Sequence, residues 1–268
     1  MYRDFYGMSN LPFVRDIEPG KLYESVAMQE SLSRLRYVAA RKMFAVVSGD
    51  SGCGKSTMLR KFAYSLPHGE YEVLYVSDSK LTPTTLYKRL LSQLGVESGF
   101  KRCESKDKLH QEVAMLKGAY DKKVVCILDE AHLLDKATLE EFRFLLNCDY
   151  DSKSPMAVVL SGQTELWDTK LKTQRYAAIR QRIDLNCVLP HLDRSETGKY
   201  IQSHMEYAGC TQQIFTDGAL DVIYTESSGI MRLINRICER CLMYGCQQGK
   251  RLIDDHIVRY VVENEGVN

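Results

Sequence analysis

An apolar run, Ala45-Val46-Val47-Ser48, leads into Gly49-Asp50-Ser51-Gly52-Cys53-Gly54-Lys55-Ser56-Thr57, and a helix-forming stretch follows from Met58 to Leu66. The loop has the form G-x-x-x-x-G-K-[ST], which predicts a phosphate cradle. Glycines at 49, 52 and 54 let the main chain turn tightly, so that successive N–H groups point inward at phosphate oxygens. The helix N-terminus beyond them adds a fixed partial positive charge. Lys55 can reach the β- and γ-phosphates, and the Ser56 hydroxyl can ligate Mg²⁺. ATP and Mg²⁺ are the expected ligands, and a glycine-rich turn that binds nothing is the alternative.

A second chemical group ends another apolar run. After Lys123–Leu128 come Asp129 and Glu130, two adjacent carboxylates. Asp129 is suited to hold Mg²⁺, and Glu130 to polarise the water that attacks the γ-phosphate. The alternative is a solvent-facing acidic turn. Gln163 stands at the tip of a further strand, Ala157–Leu160, where a polar side chain could orient that water. Among the arginines, Arg180 or Arg182 can stabilise charge on the transferring phosphoryl group from a neighbouring subunit, Arg182 being preferred. Arg232, after Ser228-Gly229, can reach nucleotide from its own chain. For any lone arginine the competing reading is a surface charge.

The elements that must hold these residues alternate. Helical spacing covers 28–42, strand Glu72–Val76 precedes a Pro83-led helix over Thr84–Leu94, and a polar segment with Lys101, Arg102, Lys106 and Lys108 leads to a helix bearing Leu109, Val113 and Leu116. Strand Lys123–Leu128, a helix from about Lys136 to Cys148, and strand Ala157–Leu160 follow. Apolar strands alternating with helices predict an α/β fold, a doubly wound parallel sheet with ligands beyond the strands' C-terminal ends. From Pro190 onward only amphipathic helices are predicted, around 200–207, 217–226, 231–246 and 254–263. The expected organisation is a lead-in over 1–30 packing near the nucleotide site, an α/β core over 31–189, and an all-α lid over 190–268.

Bulk composition excludes several classes. With 36 basic and 35 acidic residues the net charge is +1, so any nucleic-acid contact must come from local patches. No apolar stretch is long enough for a membrane span and no secretory leader is evident, so a cytoplasmic protein with reduced thiols is expected. Cys238-x-x-Cys241 with Cys246 could suggest a metal site, but it falls in a helical stretch without a well-placed second ligand pair, and buried small hydrophobes are the default.

Several segments together carry a family resemblance. Phe5-Tyr6-Gly7-Met8 with Pro12-Phe13, Leu22-Tyr23-Glu24-Ser25, the phosphate loop, Leu128-Asp129-Glu130-Ala131-His132, Ser161-Gly162-Gln163-Thr164-Glu165-Leu166, Gln181-Arg182-Ile183 and Ser228-Gly229-Ile230-Met231-Arg232-Leu233-Ile234-Asn235 occur in the order seen in ExeA-type AAA+ ATPases. The likeness covers about residues 1–250. It implies an ATPase in which Gln163 is sensor 1, Arg182 the arginine finger and Arg232 sensor 2. Met231 departs from the pattern, standing where proline usually precedes the sensor-2 arginine.

Two branches share this core. One resembles the ATPases that assist assembly of type II secretion complexes and continues into a membrane span and a cell-wall-binding domain. The other resembles the transposon target-selection ATPases, TnsC-, TniB-, IstB- and MuB-like, which assemble as rings or filaments on duplex DNA. The chain's length and lack of a membrane segment favour the second branch as an expectation. That branch implies a homo-oligomer, double-stranded DNA bound without strong sequence preference, a transposase or integrase partner, and no membrane. A general protein-remodelling ATPase is a further alternative. Phosphate contacts repeated in every subunit would suffice for DNA. The candidates are Lys80 and Thr82 in the loop after the second strand, Lys88 and Arg89 on the helix beyond, and Lys101, Arg102 and Lys106; solvated helix faces are the competing reading. Lys170, Lys172 and Arg175 form another basic run, expected at a subunit interface.

Overall fold

A computed structural model describes residues 2–78, 80–146, 153–210 and 212–266. In chain order the regular elements begin with α1 (Tyr2–Phe5), α2 (Val26–Arg41), β1 (Phe44–Ser48), α3 (Lys55–Ser65), β2 (Tyr71–Val76), α4 (Pro83–Gln93) and α5 (Arg102–Tyr120). They continue with β3 (Lys123–Leu128), α6 (Lys136–Leu145), β4 (Ala157–Gly162), α7 (Ala177–Arg180) and β5 (Leu185–Val188). Four helices close the series: α8 (Arg194–Tyr207), α9 (Asp217–Ser227), α10 (Met231–Gln247) and α11 (Asp255–Asn264). The chain divides into two compact units, one formed by Ala27–Asp50 with Lys55–Leu189, the other by Met1–Val26, Ser51–Gly54 and Pro190–Asn268.

The first unit is the α/β core. Its five strands run parallel in the order β2-β3-β4-β1-β5. Strands β1 and β4 are buried at every position, and β3 at every position but its first, which is why they read as unbroken apolar runs. Local chemistry sets the helix boundaries. Thr82 caps α4, its hydroxyl accepting the Thr85 N–H while the Thr85 hydroxyl accepts the Thr82 N–H, and Pro83 takes the first helical position. Asp135 caps α6 by accepting the Thr138 N–H at 2.7 Å.

Helix α5 begins at Arg102, so Arg102 and Lys106 are helical rather than part of a preceding polar segment. Glu104 reaches back to the Lys101 N–H at 3.4 Å and so starts the helix among polar residues. Helix α6 is described to Leu145, and its expected end at Cys148 lies outside the described residues. Tyr87 is fully buried and donates at 2.6 Å to Glu141, itself 3% exposed, while Arg102 donates to the other carboxylate oxygen at 2.7 Å. This buried carboxylate ties α4, α5 and α6 together, and both its oxygens are satisfied.

The second unit is helical. Asp193, Thr216 and Asp254 cap α8, α9 and α11 through N–H groups three residues on. Between α9 and α10, Gly229 holds φ +74°, and a Cβ there would collide with the Leu192 carbonyl. The lead-in packs in this unit: Tyr2, Met8 and Phe13 join Tyr200, Ile201, Met205 and Ile237 in one apolar core. Cys238 and Cys241 are fully buried in the same core, and burial pushes both thiols up, Cys241 to about 12. Among the described residues no helix is long and apolar enough to cross a membrane.

His204 anchors the lead-in. Its Nδ1 accepts the Phe13 N–H at 3.1 Å, the Phe13 ring stacks on it with centroids 5.0 Å apart, and burial pulls its pKa down to about 4. An unfolded histidine titrates near 6.5. Above that pH both states are neutral and the residue contributes its full stabilisation. As pH falls from about 6.5 to about 4, only the unfolded chain takes up the proton, so stability declines by about 3 kcal/mol. His204→Asn keeps an acceptor but cannot titrate. Urea unfolding of the helical unit's signal across this window is expected to give a visibly flatter pH dependence in the variant, and equal slopes would refute the assignment.

Candidate functional site

Strand register builds the acidic half of the site. Leu128 of β3 pairs with Leu160 of β4 on one side and with Val76 of β2 on the other, so the strand ends bring Ser161 and Tyr75 to Asp129. Asp129 is 4% exposed and accepts four hydrogen bonds. Ser56 Oγ donates to Oδ2 at 2.6 Å and Tyr75 Oη to the same oxygen at 3.1 Å. Ser161 Oγ and the Glu130 N–H donate to Oδ1 at 2.8 and 3.0 Å. Burial and the adjoining Asp129 carboxylate push the Tyr75 phenol up to about 12, which keeps it a donor at neutral pH. A buried carboxylate beside a serine hydroxyl is a set of hard oxygen donors, and it fits Mg²⁺. Ser161 and Tyr75 were not recognised in the sequence, because nothing local marks either as a neighbour of Asp129.

Glu130 adopts φ 56°, ψ 30°, a left-handed conformation that costs a non-glycine residue about 1 kcal/mol. The bond from its own N–H to Asp129 and that from the Leu133 N–H to its carbonyl at 3.0 Å hold it there. Its side chain is about half exposed, as a group that must meet water requires. Gln163 follows β4 directly, and its N–H donates to His132 Nδ1 at 3.4 Å.

On the same α/β unit, Lys55 is 7% exposed and opens α3, and its Nζ donates to the Gly49 and Asp50 carbonyls at 2.7 and 2.8 Å. The ammonium is thereby folded over the start of the loop. A Cβ on Gly49 would lie 2.6 Å from the Leu189 carbonyl, so only glycine fits there. Thr164 bonds the Asp50 carboxylate. Thr57 lies in the first turn of α3. In the helical unit, Gly52 and Gly54 hold φ +88° and +86°. Cys53 is buried between them. Arg232 Nη1 donates to Ser51 Oγ at 3.1 Å and its N–H to the Gly52 carbonyl at 3.3 Å. A Cβ on Gly54 would meet Met231 Sδ at 3.0 Å, so Met231 covers the loop tip.

The two finger candidates differ. Arg180 Nη1 donates to the Lys172 carbonyl at 2.7 Å within its own chain, whereas Arg182 follows α7 and is partly buried. Lys170 is not presented outward for a partner: its Nζ donates to the His132 carbonyl at 2.7 Å and to the Leu134 carbonyl, bracing the turn after Glu130. Lys172 pairs with Asp168 at 2.6 Å.

The candidate DNA contacts do not form an unbroken basic stripe. Arg102 is engaged by Glu141, Arg89 lies 3.5 Å from Asp78, Thr82 caps α4, and Lys106 sits 5.2 Å over the Phe144 ring. Lys80, Lys88 and Lys101 are exposed.

Residues 38–169 match the family model described as AAA domain. The chain carries an AAA domain and has the fold of an AAA+ ATPase. This AAA+ ATPase is similar to general secretion pathway protein A of Aeromonas hydrophila, with 32% identity over 258 residues that make up 94% of the chain and 46% of the relative. The chain thus spans about half the length of that curated relative. Among solved structures the AAA+ ATPase resembles the Aeropyrum pernix ORC1 protein in complex with DNA (TM-score 0.68, 14% identity, 94% of this chain and 68% of that one). It also resembles Cdc6p from Pyrobaculum aerophilum (0.65, 16%, 93% and 67%) and the Thermotoga maritima RuvB Holliday junction branch migration motor (0.61, 18%, 88% and 67%). At these identities the structural likenesses speak for the fold.

Proposed function

We propose that this AAA+ ATPase drives assembly of a secretion complex, as the likeness to general secretion pathway protein A across 94% of the chain supports. That one observation carries the reading. In the mechanism, the main-chain N–H groups of the loop and the N-terminus of α3 seat the phosphates, and Lys55 neutralises them. Ser56 and Asp129 would hold Mg²⁺, which would supply neutralisation of phosphate charge. Glu130 takes a proton from the attacking water, with Gln163 orienting it. Arg182 of an adjacent copy stabilises charge on the transferring group, the role that the family resemblance implies for it. Arg232, bonded to Ser51, is the sensor 2 that the family resemblance implies. ATP would favour association of copies, and hydrolysis would reverse it.

A second reading is ATP-dependent assembly on duplex DNA with a transposase or integrase partner, and the exposed Lys80, Lys88 and Lys101 are what favour it. One experiment separates the two. Lys55→Ala is placed at the native gene while export of a secreted enzyme and DNA-dependent ATP turnover of the purified protein are followed. Blocked export, with wild-type turnover indifferent to DNA, is the expected result. Normal export together with duplex-stimulated turnover that weakens with salt would transfer the assignment to the second reading.

A further inference from the structure

His132 belongs to none of the roles above, yet it stands between two of the residues that carry them. Its side chain is only 8% exposed. Its Nδ1 accepts the Gln163 N–H at 3.4 Å and lies 3.7 Å from Glu130 Oε2. One nitrogen cannot accept from Gln163 and donate to Glu130 at once, so with the Gln163 bond made Nδ1 gives Glu130 no hydrogen bond. The main chain that carries the ring is fixed from outside: Lys170 holds the His132 carbonyl, and a Cβ on Gly162 would lie 3.0 Å from the His132 main-chain nitrogen, so the end of β4 rests on this turn.

A main-chain N–H beside a carboxylate is a strong attraction, because hydrogen bonds to charged acceptors are about twice as strong as neutral ones. We infer that His132 is a positioning residue that occupies the Gln163 N–H and thereby keeps the Glu130 carboxylate from being captured by it and lost as the base. Without the imidazole, the half-exposed Glu130 side chain swings toward the bared N–H. Its carboxylate is then turned from the attacking water. The acceptor at 132 therefore couples the tip of β4 to the catalytic carboxylate.

The inference rests on Glu130 being the base, and the test keeps the two separable. Steady-state ATP turnover is measured for the full chain and for His132→Ala, His132→Asn, His132→Gln and Glu130→Gln. An asparagine carries an acceptor at the Nδ1 position, whereas glutamine extends it toward Nε2. His132→Ala is expected to lose at least tenfold in kcat with KM for ATP within about threefold of the parent. His132→Asn should return to within about threefold of the parent, and His132→Gln should not. Full kcat in His132→Ala, a loss confined to KM, or equal behaviour of the asparagine and glutamine variants would overturn the inference. If the alanine variant fails to fold, the asparagine–glutamine comparison decides. Retained turnover in Glu130→Gln would overturn the assignment of the base, and the role of His132 with it. Abolished turnover there, with His132→Ala unimpaired, overturns the role of His132 alone.

Discussion

Glu130→Gln is expected to lower kcat for ATP hydrolysis by about 10³-fold while leaving ATP affinity within about threefold of the parent. The amide has the size of the carboxyl group, and the main chain that holds residue 130 is anchored by its own N–H on Asp129 and by the Leu133 N–H on its carbonyl. What the substitution removes is the ability to take a proton from water. Ground-state binding rests on the loop, Lys55 and Asp129, none of which it touches. Phosphate release together with equilibrium nucleotide binding measures both halves. A kcat within tenfold of the parent would place the base elsewhere, and a comparable loss of affinity would mean that the residue serves binding instead.

Lys55→Ala should act on the opposite half of the cycle, lowering ATP affinity by about 100-fold, in line with the loss of charge-assisted hydrogen bonds worth up to about 3 kcal/mol. Lys55 Nζ already sits over the loop, held by the Gly49 and Asp50 carbonyls, so its location is prepared before nucleotide arrives. Lys55→Arg keeps the charge but brings a planar fork into a space shaped for a point charge, and an intermediate affinity is expected. Calorimetric titration with ATP distinguishes these cases. Parental affinity in the alanine variant would remove Lys55 from the phosphate site.

Residues whose roles depend on neighbours in sequence were the legible ones. The glycines of the loop, Lys55 and Ser56 are spaced by one strand–turn–helix transition, and Asp129 with Glu130 ends an apolar strand. Each such group announces itself within a dozen residues. Ser161, Tyr75 and His132 work through the sheet instead. Ser161 and Tyr75 meet Asp129 because β4 and β2 flank β3 in a particular register, and one serine or tyrosine among apolar residues carries no mark of that pairing. The only hint lay in Ser161 following an apolar strand immediately before Gly162-Gln163.

Among the elements, β5 was missed because it is four residues long, includes Asn186, and is only partly buried, so neither alternation nor an apolar run stands out. The first turns of α5 were missed because their residues are charged and Ser105 is the first of them to be buried. The basic candidates illustrate the converse limit. Arg102 and Arg89 read as surface charge and are 57% and 64% exposed, but the sequence does not show that each also lies beside a carboxylate, Glu141 and Asp78.

The outer strand of the sheet has one further property. Tyr75 lies on β2, which among the described residues has a neighbour on one side only, and its outward N–H and carbonyl are both taken by the Gln93 carboxamide, each at 2.9 Å. A glutamine side chain thus imitates the backbone of an absent neighbour and stoppers the position where a stray extended peptide would begin to zip on. Copies of this protein crowded together are therefore steered away from pairing strand to strand at that position.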